Sequence, residues 1–188
     1  MLREQEKLIA LGANLSSAIG SPAETLRAAI DELSASGECV LRVSRFYATP
    51  CFPAGAGPDY VNACIVSTGE SSAAELLSVM HQIEHKFGRE REQRWGSRSL
   101  DLDLLAHGGE ILPDATSHSK WRMLSLEEQK VRAPDELILP HPRMHERAFV
   151  LVPLCDVAAD WRHPLLDRTV RQLCEALPQE ARDEVKPL

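Results

Sequence analysis

Asp101 and Asp103 stand two residues apart in RWGSRSLDLDLL, with leucines at 100, 102 and 104. On a β-strand alternate side chains share a face, so both carboxylates project together while the leucines enter a core. Such a pair suits a hard cation such as magnesium, which keeps several waters and is commonly completed by substrate phosphates. Just upstream, REREQRWGSR at 89–98 carries four arginines (Arg89, Arg91, Arg94, Arg98) against two glutamates. Guanidinium forks grip phosphate oxygens in bidentate pairs. Carboxylates for a metal beside arginines for phosphate point to phosphoryl transfer, a chemistry carried by positioning and electrostatics. Each half also has a plainer reading. A lone DxD fits a solvent-facing stripe on an edge strand, and the arginines fit a solvated loop in which Glu90 and Glu92 pair some of them. Trp95 in that loop fits simple packing.

Other chemistries find little support. The phosphate loop G-x-x-x-x-G-K-[ST] is absent, and Gly55 and Gly57 precede a strand rather than a helix. His141 and His145, with Arg143 and Arg147, form a second polar cluster whose spacing matches no standard zinc site, and each histidine is expected at the surface. The five cysteines include no CxxC pair and no marked nucleophile, and their odd number fits a reducing compartment.

The elements that must position these groups are legible from caps and periodicity. Lys7–Ala13 reads as a buried strand, and Ser21, Pro22 and Glu24 open a helix over about 22–34. Residues 39–49 and 60–68 have the β-branched, alternating character of strands, separated by the loop PCFPAGAGPD. Ser72 and Glu75 cap a second helix, whose stripe of Leu76, Leu77, Met80, Ile83 and Phe87 ends at Gly88 and leaves Gln82 and Glu84 partly exposed. Ser99–Ala106 is the carboxylate strand. The polar segment 113–136 is a surface excursion with a short helix capped by Ser125 and Glu128. A helix from about Met144 and a last one over 169–177 complete the chain. The order strand, helix, strand, strand, helix, strand predicts an α+β fold with a ferredoxin-like split βαβ core, an antiparallel sheet with helices packed on it and extra C-terminal elements.

A chain of 188 residues is expected to form a single domain, 1–188. Its net charge of −7 argues against nucleic acid as a partner, although the arginine segment invites a small anion. No apolar run approaches the roughly 20 residues of a membrane span, and the amino terminus lacks the features of a secretory signal. A cytoplasmic monomer without membrane contact is the expectation. On the residues alone, two other classes stay open: a DxD nucleotide-sugar transferase and a ferredoxin-like module that binds a regulatory ligand.

Seven stretches together resemble one family. They are LGANLS at 11–16, FYATP at 46–50, PDYVNA at 58–63, Gln82 with Glu84, Gly88-Arg89, RWGSRSLDLDLL at 94–105 and LPHPRMHERAFVLVPL at 139–154. In order and content the chain resembles the 6-hydroxymethyl-7,8-dihydropterin pyrophosphokinases of folate biosynthesis from residue 7 to about 165. The resemblance implies transfer of diphosphate from ATP to the pterin hydroxymethyl group, with release of AMP. It also implies two Mg2+ ions on Asp101 and Asp103, with Arg89 and Arg98 on the phosphates and Arg91 and Trp95 in a closing loop. Gln82, Glu84, His141 and Arg147 then fall at nucleotide-contacting positions. Tyr60 and Phe149 would sandwich the pterin, Asn62 would read its edge, and Thr49 and Pro50 would add backbone contacts. The excursion at 113–136 is longer than the family's usual connection and has no role in this picture.

Overall fold

The computed structural model describes residues 6–51, 57–88 and 99–188. Arg89, Arg91, Trp95 and Arg98 therefore lie outside the described residues. In chain order the elements are β1 (Lys7–Ala13), α1 (Pro22–Ala35), β2 (Cys39–Val43), β3 (Tyr47–Thr49), β4 (Tyr60–Thr68), α2 (Ala73–Lys86) and β5 (Asp101–His107). There follow α3 (Ala115–Arg122), α4 (Leu126–Val131), a 3-10 turn (Met144–Glu146), α5 (Ala148–Ala158), α6 (Val170–Glu175), α7 (Gln179–Asp183) and β6 (Lys186–Pro187).

The strands form one sheet in the order β5-β1-β4-β3-β6, with β2 also on β4, and every pairing is antiparallel. β1 thus lies between β5 and β4, with α1 crossing from β1 to β2 and α2 from β4 to β5, which is the expected split βαβ core. Capping boxes open α1, α2 and α4 through Ser21/Glu24, Ser72/Glu75 and Ser125/Glu128. One sheet face, with Ile9, Leu11, Ile65, Leu102 and Leu104, packs against Leu26 and Leu33 of α1 and Leu76, Met80 and Ile83 of α2. The other, with Leu8, Cys64, Val66 and Leu105, packs against Val150, Leu151 and Leu154 of α5 and Val170 and Leu173 of α6.

Three expectations need correction. The strand expected over 39–49 is two strands, because the Ser44 side chain takes the place of ladder backbone: its Oγ accepts the Cys64 N–H at 2.9 Å. The helix expected from Met144 begins at Ala148 after the 3-10 turn, with Arg147 at its N-cap. The polar segment 113–136 holds a helix, α3, that no apolar stripe announced.

Candidate active site

The β-ladder registers place the carboxylates opposite small residues. Asp101 faces Gly12 and Asp103 faces Ala10 across β1, and Gly12 and Ala10 in turn face Asn62 and Cys64 of β4. Alternation puts Asp101, Asp103, Gly12, Asn62 and Cys64 on the α5 side of the sheet. β5 is an edge strand. Helix α5 begins at Ala148 on that face, and Cys64 Sγ lies 3.5 Å from Val150 O in its first turn.

Arg147, at the N-cap of α5, extends Nη1 to 3.5 Å from Asp103 Oδ2, with side chains 20% and 35% exposed. Burial works against the Arg147 charge and lowers its pKa, while Asp103 works to keep it. The guanidinium carbon also stands 5.7 Å from the Phe149 ring centroid. Phe149 itself is 40% exposed, a large flat face left open on the first turn of a helix.

His141 is fixed from two sides: its backbone N–H donates to Leu105 O at 2.8 Å, and its Nδ1 accepts the Arg143 N–H at 3.1 Å. With Nδ1 occupied as an acceptor, the ring proton sits on Nε2. Burial, helped by the charge of Arg147, pushes its pKa down to about 3, so the ring is neutral at physiological pH. His141 and His145 are half-buried rather than at the surface.

On the opposite flank, Asn62 is buried and its Nδ2 donates to Thr49 Oγ1 at 2.7 Å. A Cβ on Gly12 would lie 2.9 Å from Asn62 Oδ1. The bare glycine therefore lets the carboxamide lie flat across β1, the close approach that a glycine inside a strand often marks. Tyr60 pairs with Thr49 in the ladder and is half-buried, and Pro50 is exposed. A cavity of about 400 Å³ opens beside Thr49 and Pro50, bounded also by Asp59 and by Glu180, Asp183 and Glu184 near the C terminus.

Behind the carboxylates, Glu84 differs from its expected partial exposure. It is 1% exposed, and its Oε1 accepts the backbone N–H of Leu102 at 2.8 Å. Gln82, two residues before it on α2, is exposed. Helix α5 is held to the sheet by Asp156, which accepts from Arg45 Nη2 and Tyr47 Oη, both at 2.8 Å. Burial and that carboxylate push the Tyr47 pKa up to about 12. Sequence reasoning missed Gly12, Tyr47 and Asp156 as site-shaping residues; of these only the strand-interior glycine carried a local signal.

The geometry groups Asp101, Asp103, His141 and Arg147 along β5 and Thr49, Tyr60 and Asn62 along β3 and β4, with the open ring of Phe149 beside Arg147. The chain is 37% identical over 169 residues to the 2-amino-4-hydroxy-6-hydroxymethyldihydropteridine pyrophosphokinase of Synechocystis, covering 89% of this chain and 74% of that one. It is 33% identical to the protein of that name from Pseudomonas aeruginosa, over 94% of both chains. The fold is similar to that of HPPK-DHPS from Plasmodium falciparum, with a TM-score of 0.59 at 14% identity over 91% of this chain. This chain spans 43% of that longer one. The profile of the 7,8-dihydro-6-hydroxymethylpterin-pyrophosphokinase (HPPK) family matches residues 8–159, and the chain belongs to that family.

Proposed function

We propose that the chain transfers diphosphate from ATP to 6-hydroxymethyl-7,8-dihydropterin in folate biosynthesis. The pterin hydroxyl oxygen bonds to the β-phosphorus, the bond from that phosphorus to the oxygen bridging the α-phosphate breaks, and AMP leaves with the bridging oxygen. The hydroxyl proton passes to solvent. The observation that carries this reading is the two-sided face. Asp101, Asp103, His141 and Arg147 suit a polyphosphate, while Asn62, with Tyr60 and Phe149 as flat surfaces, suits a polar heterocycle.

The donor set fits magnesium. Two carboxylates share one partly open face, and phosphate oxygens and waters would complete a hard-cation shell. Two Mg2+ ions held by Asp101 and Asp103 would neutralise polyphosphate charge and polarise the reacting phosphorus. The protein's own groups then do the rest. Arg147 holds Asp103 and adds positive charge at the phosphates, and neutral His141 offers its Nε2–H to the nucleotide. Asn62, oriented by Thr49, meets the donor and acceptor edge of the pterin, with Thr49 and Pro50 beside it. We assign Arg89, Arg98, Arg91 and Trp95 to the phosphates and nucleotide from the family motif alone, and Gln82 likewise. Glu84 acts in the nucleotide half through the strand it holds.

A cytoplasmic monomer belongs to the same proposal, in keeping with five free thiols. Among the described residues no helix is long and apolar enough to cross a membrane. The test is product identity: with ATP and magnesium, AMP should appear only when the hydroxymethyl pterin is added. ADP instead of AMP would mean a simple kinase, and AMP without pterin a nucleotide hydrolase.

A further inference from the structure

The excursion between β5 and α5 contains α3, whose N-cap Asp114 accepts the N–H groups of Thr116 and Ser117 at 2.8 and 3.0 Å. The helix has no apolar face toward the core. Its one buried side chain is His118, which is wholly buried. The base of the excursion is closed by Leu112 and Leu139, which exchange backbone hydrogen bonds of 2.9 and 3.1 Å.

His118 Nε2 lies 2.8 Å from the carbonyl oxygen of Pro140. A carbonyl only accepts, so Nε2 carries the proton. That carbonyl belongs to the peptide group joining Pro140 to His141. The N–H of the same peptide group donates to Leu105 O of β5 at 2.8 Å. One peptide plane is therefore held at both edges, by an α3 side chain and by the strand that carries Asp101 and Asp103. The next atom along the chain is the Cα of His141. With both edges fixed the plane cannot rotate, and the direction in which His141 leaves it is set before any ligand arrives.

Two other roles for His118 fit less well. Total burial keeps it from a nucleotide. As a metal ligand it finds no partner in His163, whose ring stands 5.8 Å away between centroids and accepts the N–H groups of Leu165 and Leu166 at its Nδ1, which leaves its Nε2 protonated. Among the described residues no group of three or more His, Cys, Asp or Glu side chains is disposed to hold a metal.

We propose that His118 is a positioning residue for the nucleotide half of the site, fixing the Pro140–His141 peptide so that His141 presents its Nε2–H to ATP. The excursion, which had no role in the family's pattern, is on this account a buttress that delivers one hydrogen bond. The claim rests on the pyrophosphokinase reading above, in which His141 meets the nucleotide.

The experiment is steady-state AMP release with ATP and pterin varied separately, for the parent, His118→Ala, His118→Leu and His118→Gln, with thermal melts of each. Loss of a buried hydrogen bond that orients a ligand contact should raise the ATP KM roughly three- to ten-fold. The pterin KM and kcat should hold within about two-fold. His118→Gln, whose amide N–H can reach the same carbonyl, should restore most of the ATP KM. Adding His118→Ala to His141→Ala should cost nothing further. If the alanine variant does not melt cooperatively, leucine, which fills the space without a donor, gives the same comparison against glutamine. An unchanged ATP KM in the alanine or leucine variant, or equal losses toward both substrates, overturns the proposal. A parent enzyme that releases no AMP overturns the pyrophosphokinase reading instead. The positioning claim is then read from Mg-ATP affinity of the same variants by calorimetry, where equal affinities would sink it.

Discussion

Glu84 Oε1 of α2 accepts the backbone N–H of Leu102, the residue between Asp101 and Asp103, at 2.8 Å. A carboxylate sealed in the core thus holds the strand at the point from which both site carboxylates diverge. An edge strand has a partner on one side only, and here Glu84 supplies a contact from the helix layer. Glu84→Ala leaves the Leu102 N–H buried without an acceptor, which costs about 1–3 kcal/mol. Urea unfolding should register that loss, and AMP release should fall with it. Glu84→Gln keeps an acceptor oxygen and is expected to recover both. Full activity in a destabilised Glu84→Ala protein would separate this contact from the site.

Asp101→Ala and Asp103→Ala should each abolish turnover, because removal of either proposed metal ligand takes charge neutralisation from the transition state. Asp103 is the partner of the mostly buried Arg147, so its loss leaves a cation less compensated and lowers Tm. Near-normal AMP release from both variants would remove the metal assignment.

Gly12→Ala tests the other flank. The new Cβ would stand 2.9 Å from Asn62 Oδ1, closer than a methyl carbon tolerates, and the carboxamide must turn away. Turning breaks the Asn62 to Thr49 hydrogen bond. The expected result is a raised pterin KM with an ATP KM near the parent's. An ATP defect of equal size would show that the glycine serves the sheet as a whole.

How far these relationships were legible depends on how local they are. The capping residues Ser21, Ser72 and Ser125 act within three residues of themselves, and each opens its helix where expected. Strand β4 begins and ends at Tyr60 and Thr68 as read, since alternation and flanking turns define it without help from elsewhere. The common face of Asp101 and Asp103 follows from strand geometry alone. Glu84 does not: helical periodicity assigns a charged residue beside the stripe to solvent, and only a backbone N–H on a distant strand makes its burial tolerable. The same holds for α3, where one histidine bonded to Pro140 replaces an apolar stripe, and for β6, where two residues extend the sheet beside β3. The break at Ser44 depends on a side chain bonded to Cys64 twenty residues on.

Acid should weaken the fold in a window that belongs to histidine. Burial, reinforced by His118, His145 and Arg122, pushes the His163 pKa down to about 4. His118 is lowered by burial and by Arg122, and His145 by burial, with Glu146 opposing and Arg122 assisting. The ordinary value for each is 6.5. The sign follows: below pH 6.5 the unfolded chain takes up protons that the folded chain refuses, so stability is full above that pH and is lost as pH falls toward about 4. The carboxylates Glu38 and Asp156, held below their ordinary values of 4.5 and 3.8 by hydrogen bonds that outweigh burial, titrate lower and add their losses afterwards. Half-buried His141 acts in the same direction as His163, so the informative comparison is a single replacement. His163→Gln removes one titrating group while its side-chain oxygen can still accept from Leu165 and Leu166. Urea unfolding free energies measured from pH 7.5 to 4.5 should fall less steeply for this variant than for the parent. Equal slopes would mean that the His163 ring charges as readily in the folded protein as in the unfolded one, and that Arg122 and the neighbouring imidazoles do not oppose it.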